Sequence, residues 1–275
     1  MLGTVGAMTI LVTGATGNIG RKVVDELVAR GVSDIRALTT NPAKAALPPE
    51  VEAFDGYIGK PETLDGAFHG VTAMYLAPHE PTAAEVLRRA RDAGVGYVVA
   101  TSGSAHWQAL TDTILASGLD VTVLGPGEFL ENFAGWAGQV ATGVVREPYP
   151  DAGSAPIAMV DIAAVAAALL ASEDHSAHVG RVYELTGPEY LTRVEMAAQI
   201  GEGIGREVRF ERISRDAAEE QLRSTMGEMA SWYLDLQESS IQRKQQPNNV
   251  VQQLAGRPAT SMAQWAAANR ELFSG

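Results

Sequence analysis

The sequence predicts an α/β chain, a doubly wound parallel sheet followed by a smaller, mostly helical C-terminal domain. Three observations predict it. Over roughly the first 125 residues, short β-rich runs alternate with longer stretches of helical periodicity, the pattern of a parallel sheet built from βαβ units. The first strand runs straight into a glycine-spaced turn and then a helix. After Leu124 the texture changes to a Gly- and Pro-rich stretch and then to helix.

The elements follow in order. Candidate strands, the short β-rich runs, are Thr9 to Thr13, Ile35 to Leu38, Val51 to Phe54, Ala73 to Ala77, Tyr97 to Thr101 and Val121 to Leu124. Between the first two, Asn18 to Arg30 carries Ile19, Val23 and Leu27 at every fourth position with Val24 and Val28 beside them, and Gly31 follows as a stop. Pro81 to Ala93 and Ala105 to Ser117 have the same helical character and end just before Gly94 and Gly118. Gly125 to Ser154 is a loop-rich stretch containing Phe129, Phe133, Trp136 and Tyr149, and aromatic loops after a strand end suit a substrate mouth. Asp161 is expected to cap an Ala-rich helix, with a strand at Val182 to Leu185 and helices at Arg193 to Gly203 and Asp216 to Met226. Gln237 to Gln253, with Pro247-Asn248-Asn249 inside it, reads as a polar helix end and connector. The domains expected are 8–155, with 156–187 partly packing on it, and a smaller substrate or lid domain over 188–275.

Composition excludes several functions. With 46% hydrophobic and 20% charged residues the chain has enough apolar surface to fold, unlike a disordered chain. A net charge of −12, with no basic run beyond short groups such as Arg243-Lys244, opposes binding to nucleic acid phosphates. The absence of cysteine removes disulfides, thiolate metal ligands and a cysteine nucleophile. The longest apolar run, Ile162 to Ala171, falls well short of the roughly 18 residues of a membrane-spanning helix. Met1 to Ala7 lacks the basic residues of a signal peptide, so a cytoplasmic protein acting on a small molecule is expected. Oligomeric state is not legible.

The chemistry is carried by Ile10-Leu11-Val12-Thr13-Gly14-Ala15-Thr16-Gly17-Asn18-Ile19-Gly20, an apolar strand leading into Gly-x-x-Gly-x-x-Gly. Gly14 permits the sharp turn, Gly17 lets the backbone approach a pyrophosphate with no Cβ in the way, and Gly20 lets the helix pack closely on the strand. Amides at the helix N-terminus then face the anion. About 20 residues past the last glycine a carboxylate is expected to hold the adenosine ribose of NAD(H). Counting from Gly20 reaches Thr40 instead, in Leu38-Thr39-Thr40-Asn41-Pro42-Ala43-Lys44. Thr39, Thr40 and Asn41 can donate to a phosphate and Lys44 can add charge, which favours NADP(H) over NAD(H), unless Lys44 is a solvated surface lysine.

On these residues, the chain resembles the NmrA-like atypical short-chain dehydrogenases/reductases, which pair an NAD(P)-binding Rossmann domain with a small C-terminal substrate domain. The resemblance spans almost the whole chain. It includes Ile35-Arg36-Ala37-Leu38, Thr101-Ser102-Gly103-Ser104, Ser117-Gly118-Leu119, Pro126-Gly127-Glu128-Phe129-Leu130-Glu131-Asn132-Phe133, Asp161-Ile162-Ala163, Leu185-Thr186-Gly187-Pro188 and a closing helix with Trp265. It implies that Gly14, Thr16, Gly17, Asn18, Ile19 and Gly20 hold the pyrophosphate, and that Ala77-Pro78, Thr101-Ser102 and Pro126 border the adenosine and nicotinamide halves. Similar proteins often carry an arginine where Thr40 stands, Gly-Asp where Gly56-Tyr57 stands and Leu-Arg-Pro where Leu124-Gly125-Pro126 stands. The wider superfamily also uses a Tyr-x-x-x-Lys pair, and His106 to Ala116 contains neither residue.

A reduced carbonyl therefore needs another proton donor. Ser102 stands where a hydrogen bond to the substrate oxygen is expected, and His106 is a candidate acid or base, or else a surface or helix-cap histidine. His79, Phe129, Asn132, Trp232 and Tyr233 are candidate substrate contacts, although the stripe Met226, Met229, Trp232, Tyr233 also fits ordinary core. Glu173-Asp174-His175-Ser176-Ala177-His178 lacks a recognised ligand spacing, so no metal is expected. The expected function is an NAD(P)H-dependent oxidoreductase that delivers hydride to a small or medium carbonyl, enone or quinone. A nonenzymatic NAD(P)-sensing regulator and a redox-neutral tailoring enzyme on the same fold are the alternatives.

Overall fold

The computed structural model describes residues 8–103 and 107–274. They fall into two compact units. The first contains the chain up to Pro126, Met159–Leu185 and Val250–Arg257, and the second contains Gly127–Ala158, Thr186–Asn249 and the chain from Pro258 onward.

In chain order the first unit opens with β1 (Thr9–Val12), α1 (Gly20–Ala29), β2 (Ile35–Thr39), β3 (Glu52–Asp55), β4 (Val71–Leu76), α2 (Glu80–Asp92), β5 (Tyr97–Thr101), α3 (Gln108–Leu115) and β6 (Asp120–Pro126). Elements of the second unit follow, α4 (Ala137–Ala141), β7 (Val144–Glu147) and β8 (Gly153–Ser154), before α5 (Met159–Leu170) and β9 (Val182–Leu185) return to the first. β10 (Leu191–Thr192), α6 (Arg193–Ile204), β11 (Arg209–Arg212), α7 (Arg215–Met226) and α8 (Met229–Ser240) belong to the second unit, α9 (Val250–Ala255) to the first and α10 (Met262–Ala268) to the second.

The expected doubly wound sheet is present, with strand order β3-β2-β1-β4-β5-β6-β9 and every pairing parallel. Six of its strands are those expected for the N-terminal domain. The seventh is Val182–Leu185, which lies against β6. Alternation along the strands supplies two apolar faces. Leu11, Met74, Leu76, Val98 and Ala100 pack with Val86, Leu87 and Ala90 of α2 and Leu110 and Ile114 of α3. The intervening residues, such as Ile10, Tyr75 and Val99, are equally buried, and α1 and α5 pack against one another and against strands of the sheet. β3 is an edge strand, and its Glu52, Ala53 and Asp55 are exposed as an edge requires.

Two expectations fail here. Asp161 does not cap α5, because the helix starts at Met159 and Asp161 lies within its first turn, fully buried. Its Oδ1 accepts a hydrogen bond from Arg257 Nη1 at 2.5 Å, so the acid is the anion of a long-range ion pair. Gln237 is not a solvated helix end either, since it is 2% exposed and donates to Glu147 Oε2 at 3.2 Å.

The second unit is mostly helical, and two small sheets missing from the sequence expectations brace it. β7 and β11 pair in parallel, and β8 and β10 pair antiparallel. A capping box at Thr192 and Glu195 starts α6, which packs along α10. No helix among the described residues is long and apolar enough to cross a membrane.

Candidate nucleotide-binding and reductase site

In a parallel sheet all carboxyl ends lie on one edge, and ligands bind there. The β1–α1 turn occupies that edge. Gly14, Thr16, Gly17 and Asn18 are exposed, Ile19 is half-buried and Gly20 is buried, so an open loop joins two buried elements. The turn has its expected mechanics. Gly14 adopts φ +60°, the left-handed region, and a Cβ added there would meet the Ala77 Cβ at 3.1 Å. The Gly17 amide donates to the Gly14 carbonyl at 2.8 Å. A Cβ on Gly20 would lie 2.2 Å from the same carbonyl oxygen, so the helix can start this close to the strand only with glycine at that position.

Neighbouring strands hold the turn in place. Thr13 Oγ1 accepts from the Ala77 amide at 2.8 Å and donates to the Tyr75 carbonyl at 3.0 Å, which locks the end of β1 to the end of β4. The Ala15 amide donates to the Leu38 carbonyl at 3.2 Å and ties the turn to β2. An open cradle with no Cβ at Gly17, preceding a ten-residue helix, fits a dinucleotide pyrophosphate.

On the β2 side, Thr39 is buried and its hydroxyl takes the Asn41 amide at 3.3 Å, with Thr16 Oγ1 3.5 Å away. Thr40 and Lys44 are exposed beside it. The structure adds two features here. Arg21, the residue after the last glycine, donates through Nη1 to the Ala46 carbonyl at 2.9 Å, which brings a second cation to the Thr39–Lys44 loop. The sheet register also sets Asp55 opposite Thr39, one strand further out, so a carboxylate does stand near the end of β2. Sequence counting from Gly20 cannot find an acid delivered by a neighbouring strand.

On the β4–β6 side, the ends of three strands converge. Ala77, Pro78 and His79 follow β4. Thr82 Oγ1 donates to the Ile58 carbonyl at 2.7 Å, so the His79 Nδ1 lying 2.7 Å from that hydroxyl must carry the hydrogen, which leaves Nε2 as the ring nitrogen without this partner. The His79 ring stands edge-on to Tyr57 with centroids 5.9 Å apart. Thr101 Oγ1 lies 2.9 Å from the Tyr75 hydroxyl, and burial pushes the Tyr75 phenol up to about 12. Ser102 is buried at the end of β5, where its hydroxyl faces the Trp107 carbonyl at 3.2 Å and Thr111 Oγ1 at 2.8 Å. The carbonyl only accepts, so the Ser102 proton goes to it and Thr111 donates to the Ser102 oxygen. A substrate oxygen would have to displace the Trp107 carbonyl to take that proton. Pro126 is buried at the end of β6. His106 lies outside the described residues.

The remaining candidates belong to the second unit. Phe129 is half-buried and bridges in parallel to Ile157, Asn132 is exposed, Trp232 is 43% exposed and Tyr233 is half-buried on the same helix. Burial pushes the Tyr233 phenol up to about 12 against the opposing pull of Arg193, so it stays protonated at neutral pH. The segment 173–178 has structural partners instead: the His175 ring stacks on Tyr97 with centroids 3.9 Å apart, and His178 Nδ1 lies 2.8 Å from the Tyr183 hydroxyl. Among the described residues no group of three or more acids or histidines lies close enough to hold a metal.

Comparison with known proteins gives a consistent picture. Residues 14–106 match a family of NAD(P)H-binding domains. The chain is 34% identical over 294 aligned residues to (4-alkanoyl-5-oxo-2,5-dihydrofuran-3-yl)methyl phosphate reductase of Streptomyces griseus, with 96% of this chain and 99% of that protein covered. It is 30% identical to quinone oxidoreductase 2 of Escherichia coli, with 74% and 78% covered. Among solved structures, an NADPH-dependent quinone oxidoreductase from Escherichia coli superposes with a TM-score of 0.81 at 25% identity, covering 95% of this chain and 100% of that one.

Proposed function

The chain belongs to the NmrA-like family of atypical short-chain dehydrogenases/reductases, and from that premise we propose that it delivers hydride from NADPH to an apolar carbonyl, enone or quinone. That it is an NAD(P)H-dependent reductase of small molecules follows from its family. The observation that carries the reading is the open β1–α1 turn, with its positive φ at Gly14 and no Cβ at Gly17.

The chemistry that the bound nucleotide supplies is hydride donation. Everything else falls to the chain. Gly14, Thr16, Gly17, Asn18, Ile19 and Gly20 would hold the pyrophosphate through backbone amides and the N-terminus of α1. Thr39, Thr40 and Lys44, with Arg21 beside them, would favour a 2′-phosphate, and Asp55 one strand away opposes that preference. Ala77, Pro78, Thr101 and Pro126 would border the nucleotide at the ends of β4, β5 and β6. His79, with Nδ1 engaged by the Thr82 hydroxyl, would present Nε2 to the substrate. Ser102 would orient the acceptor oxygen once released from the Trp107 carbonyl, and His106 is the proposed proton donor.

Acceptor recognition is assigned to Phe129, Asn132, Trp232 and Tyr233 of the second unit. The lack of a Tyr-x-x-x-Lys pair after β5 supports a quinone or conjugated enone, whose reduced form can take its proton from water. The names of the Streptomyces and Escherichia relatives, a (4-alkanoyl-5-oxo-2,5-dihydrofuran-3-yl)methyl phosphate reductase and a quinone oxidoreductase, support a conjugated carbonyl or quinone acceptor.

The test is calorimetric titration with NADPH and NADH, followed by nicotinamide absorbance with a panel of quinones, enones and ketones. Expected are tighter binding of NADPH and oxidation that depends on the acceptor. Failure of either nucleotide to bind overturns the reading, and binding without turnover across the panel overturns the acceptor class. In the same assay His106→Ala should keep nucleotide affinity, and it should slow turnover and remove a limb near neutral pH from the rate profile only with an acceptor that takes its proton from the protein, such as a simple ketone.

A further inference from the structure

Arg193, the first residue of α6, is only 4% exposed, although the first turn of a helix is an easy place to keep a cation in solvent. Its guanidinium lies between two carboxylates that arrive from different segments. Nη2 donates to Glu128 Oε1 at 2.9 Å, and Nε lies 3.9 Å from Glu147 Oε2. Two rings also face it, Phe133 with its centroid at 5.2 Å and Trp136 at 5.9 Å.

Each carboxylate is fastened elsewhere. Glu128 Oε2 accepts from the Ser154 hydroxyl at 2.6 Å, and the Glu128 carbonyl accepts from the Ile157 amide at 2.9 Å. Glu147 Oε1 accepts from Trp136 Nε1 at 2.7 Å, and Oε2 accepts from Gln237 Nε2 at 3.2 Å. Gln237 sits four residues after Tyr233 on α8, so the two share a helix face, and a fixed Gln237 sets the rotation at which Tyr233 is presented.

A network built only for stability would not look like this. Apolar residues of similar volume usually hold a core at least as well as buried charge. Here Arg193 Nε and Gln237 Oε1 remain buried without a hydrogen-bond partner among the described residues. What the charges supply is direction. The cation holds the Gly127–Asn132 loop through Glu128 and faces Glu147, which holds the Tyr233 face of α8 through Gln237.

We propose that Arg193 is a positioning residue: by clamping Glu128 and facing Glu147 it sets the geometry of Phe129, Asn132 and Tyr233, and hence acceptor recognition, without touching the acceptor. The inference rests on the assignment of those three residues to the acceptor. Nothing in the clamp involves the nucleotide turn, so acceptor KM and nucleotide affinity should separate.

The experiment compares Glu128→Ala, Glu128→Gln and Arg193→Lys with the parent in four measurements: acceptor KM and kcat with a quinone, NADPH affinity, melting temperature, and amide hydrogen exchange over residues 127–136 and 229–240. Glu128→Ala should raise acceptor KM about tenfold and change kcat and NADPH affinity little, while exchange over 127–136 accelerates. Glu128→Gln should recover most of the KM, because its amide oxygen still accepts from Arg193 and Ser154 can turn to accept from its NH2. Arg193→Lys keeps the charge but loses the planar fork, and should accelerate exchange in both segments. Unchanged KM and unchanged exchange in Glu128→Ala would overturn the proposal. So would a fall in melting temperature that lowers NADPH affinity and raises acceptor KM together, the signature of a merely structural role. Hydrogen exchange needs no turnover, so a parent enzyme that binds NADPH but reduces no acceptor would count against the acceptor assignment, while exchange still decides the clamp.

Discussion

Gly17 and Gly20 lie three residues apart in one motif, and the structure gives them separable jobs. A Cβ added at Gly20 would stand 2.2 Å from the Gly14 carbonyl oxygen, whereas one at Gly17 would stand 3.2 Å from it, in a loop residue that is otherwise exposed. To restore ordinary contact in Gly20→Ala, the turn and α1 must separate by about 1 Å, and overpacking of that kind costs about 1–3 kcal/mol. The melting temperature should fall by several degrees, at roughly 2–4 °C per kcal/mol for a chain of this size class. In Gly17→Val the neighbour gives by only a few tenths of an ångström, so the nucleotide-free protein should melt close to the parent. The cost appears when pyrophosphate must approach the backbone. Loss of two charge-assisted bonds from amides, at roughly 1.5–3 kcal/mol each, predicts a hundredfold or greater weakening at about 1.4 kcal/mol per decade. Calorimetry with NADPH reads the affinity. Thermal melts with and without nucleotide read the linkage, since only a protein that binds gains stability from added ligand. Gly17→Val binding NADPH within threefold of the parent, or melting below Gly20→Ala without nucleotide, would refute the division of roles.

Three further outcomes follow from particular contacts. Thr40→Arg places a bidentate phosphate donor at an exposed position beside Lys44 and should raise the NADPH-to-NADH affinity ratio about tenfold in the same calorimeter; an unchanged ratio would place the 2′-phosphate elsewhere. Burial raises the Glu147 carboxyl above the usual carboxylate range, with Arg193, Trp136 and Gln237 pulling the other way, so the folded chain holds a proton where the unfolded chain has released it. Stability tied to Glu147 is therefore complete below the unfolded value of about 4.3 and lost as pH rises through the folded one; Glu147→Gln should flatten the fall in melting temperature over that window, and an identical pH slope would contradict the assignment. Arg257→Leu leaves the fully buried Asp161 without its cation. Breaking a wholly buried pair costs roughly 3–5 kcal/mol, and because Arg257 is partly exposed a urea titration should show about 2–3 kcal/mol; a change under about 1 kcal/mol would mean that Asp161 needs no cation.

What could be read from the chain alone was local. A strand buried on both faces is a run of Val, Ile, Leu and Ala whatever lies beside it, so the five inner strands of the six, and most helix limits, were legible. The glycine turn was legible for the same reason, since Gly14, Gly17 and Gly20 answer to sterics within a single turn. Apolar periodicity misplaced Asp161 because an acid near the start of an apolar run resembles a cap, and nothing nearby in sequence marks its partner Arg257, 96 residues away. Gln237 resembled a solvated connector because Glu147, which it binds, stands 90 residues before it.

The sequence by itself determined the class of fold and the glycine turn after β1, because backbone sterics and side-chain periodicity act over a few residues. Only the tertiary structure decided that Asp55 stands opposite Thr39, that Ser102 faces Thr111 and the Trp107 carbonyl, and that Arg193 binds Glu128 and faces Glu147. Buried polar groups need partners within about 3 Å, and chain segments far apart in sequence supply them only once the core has brought them together.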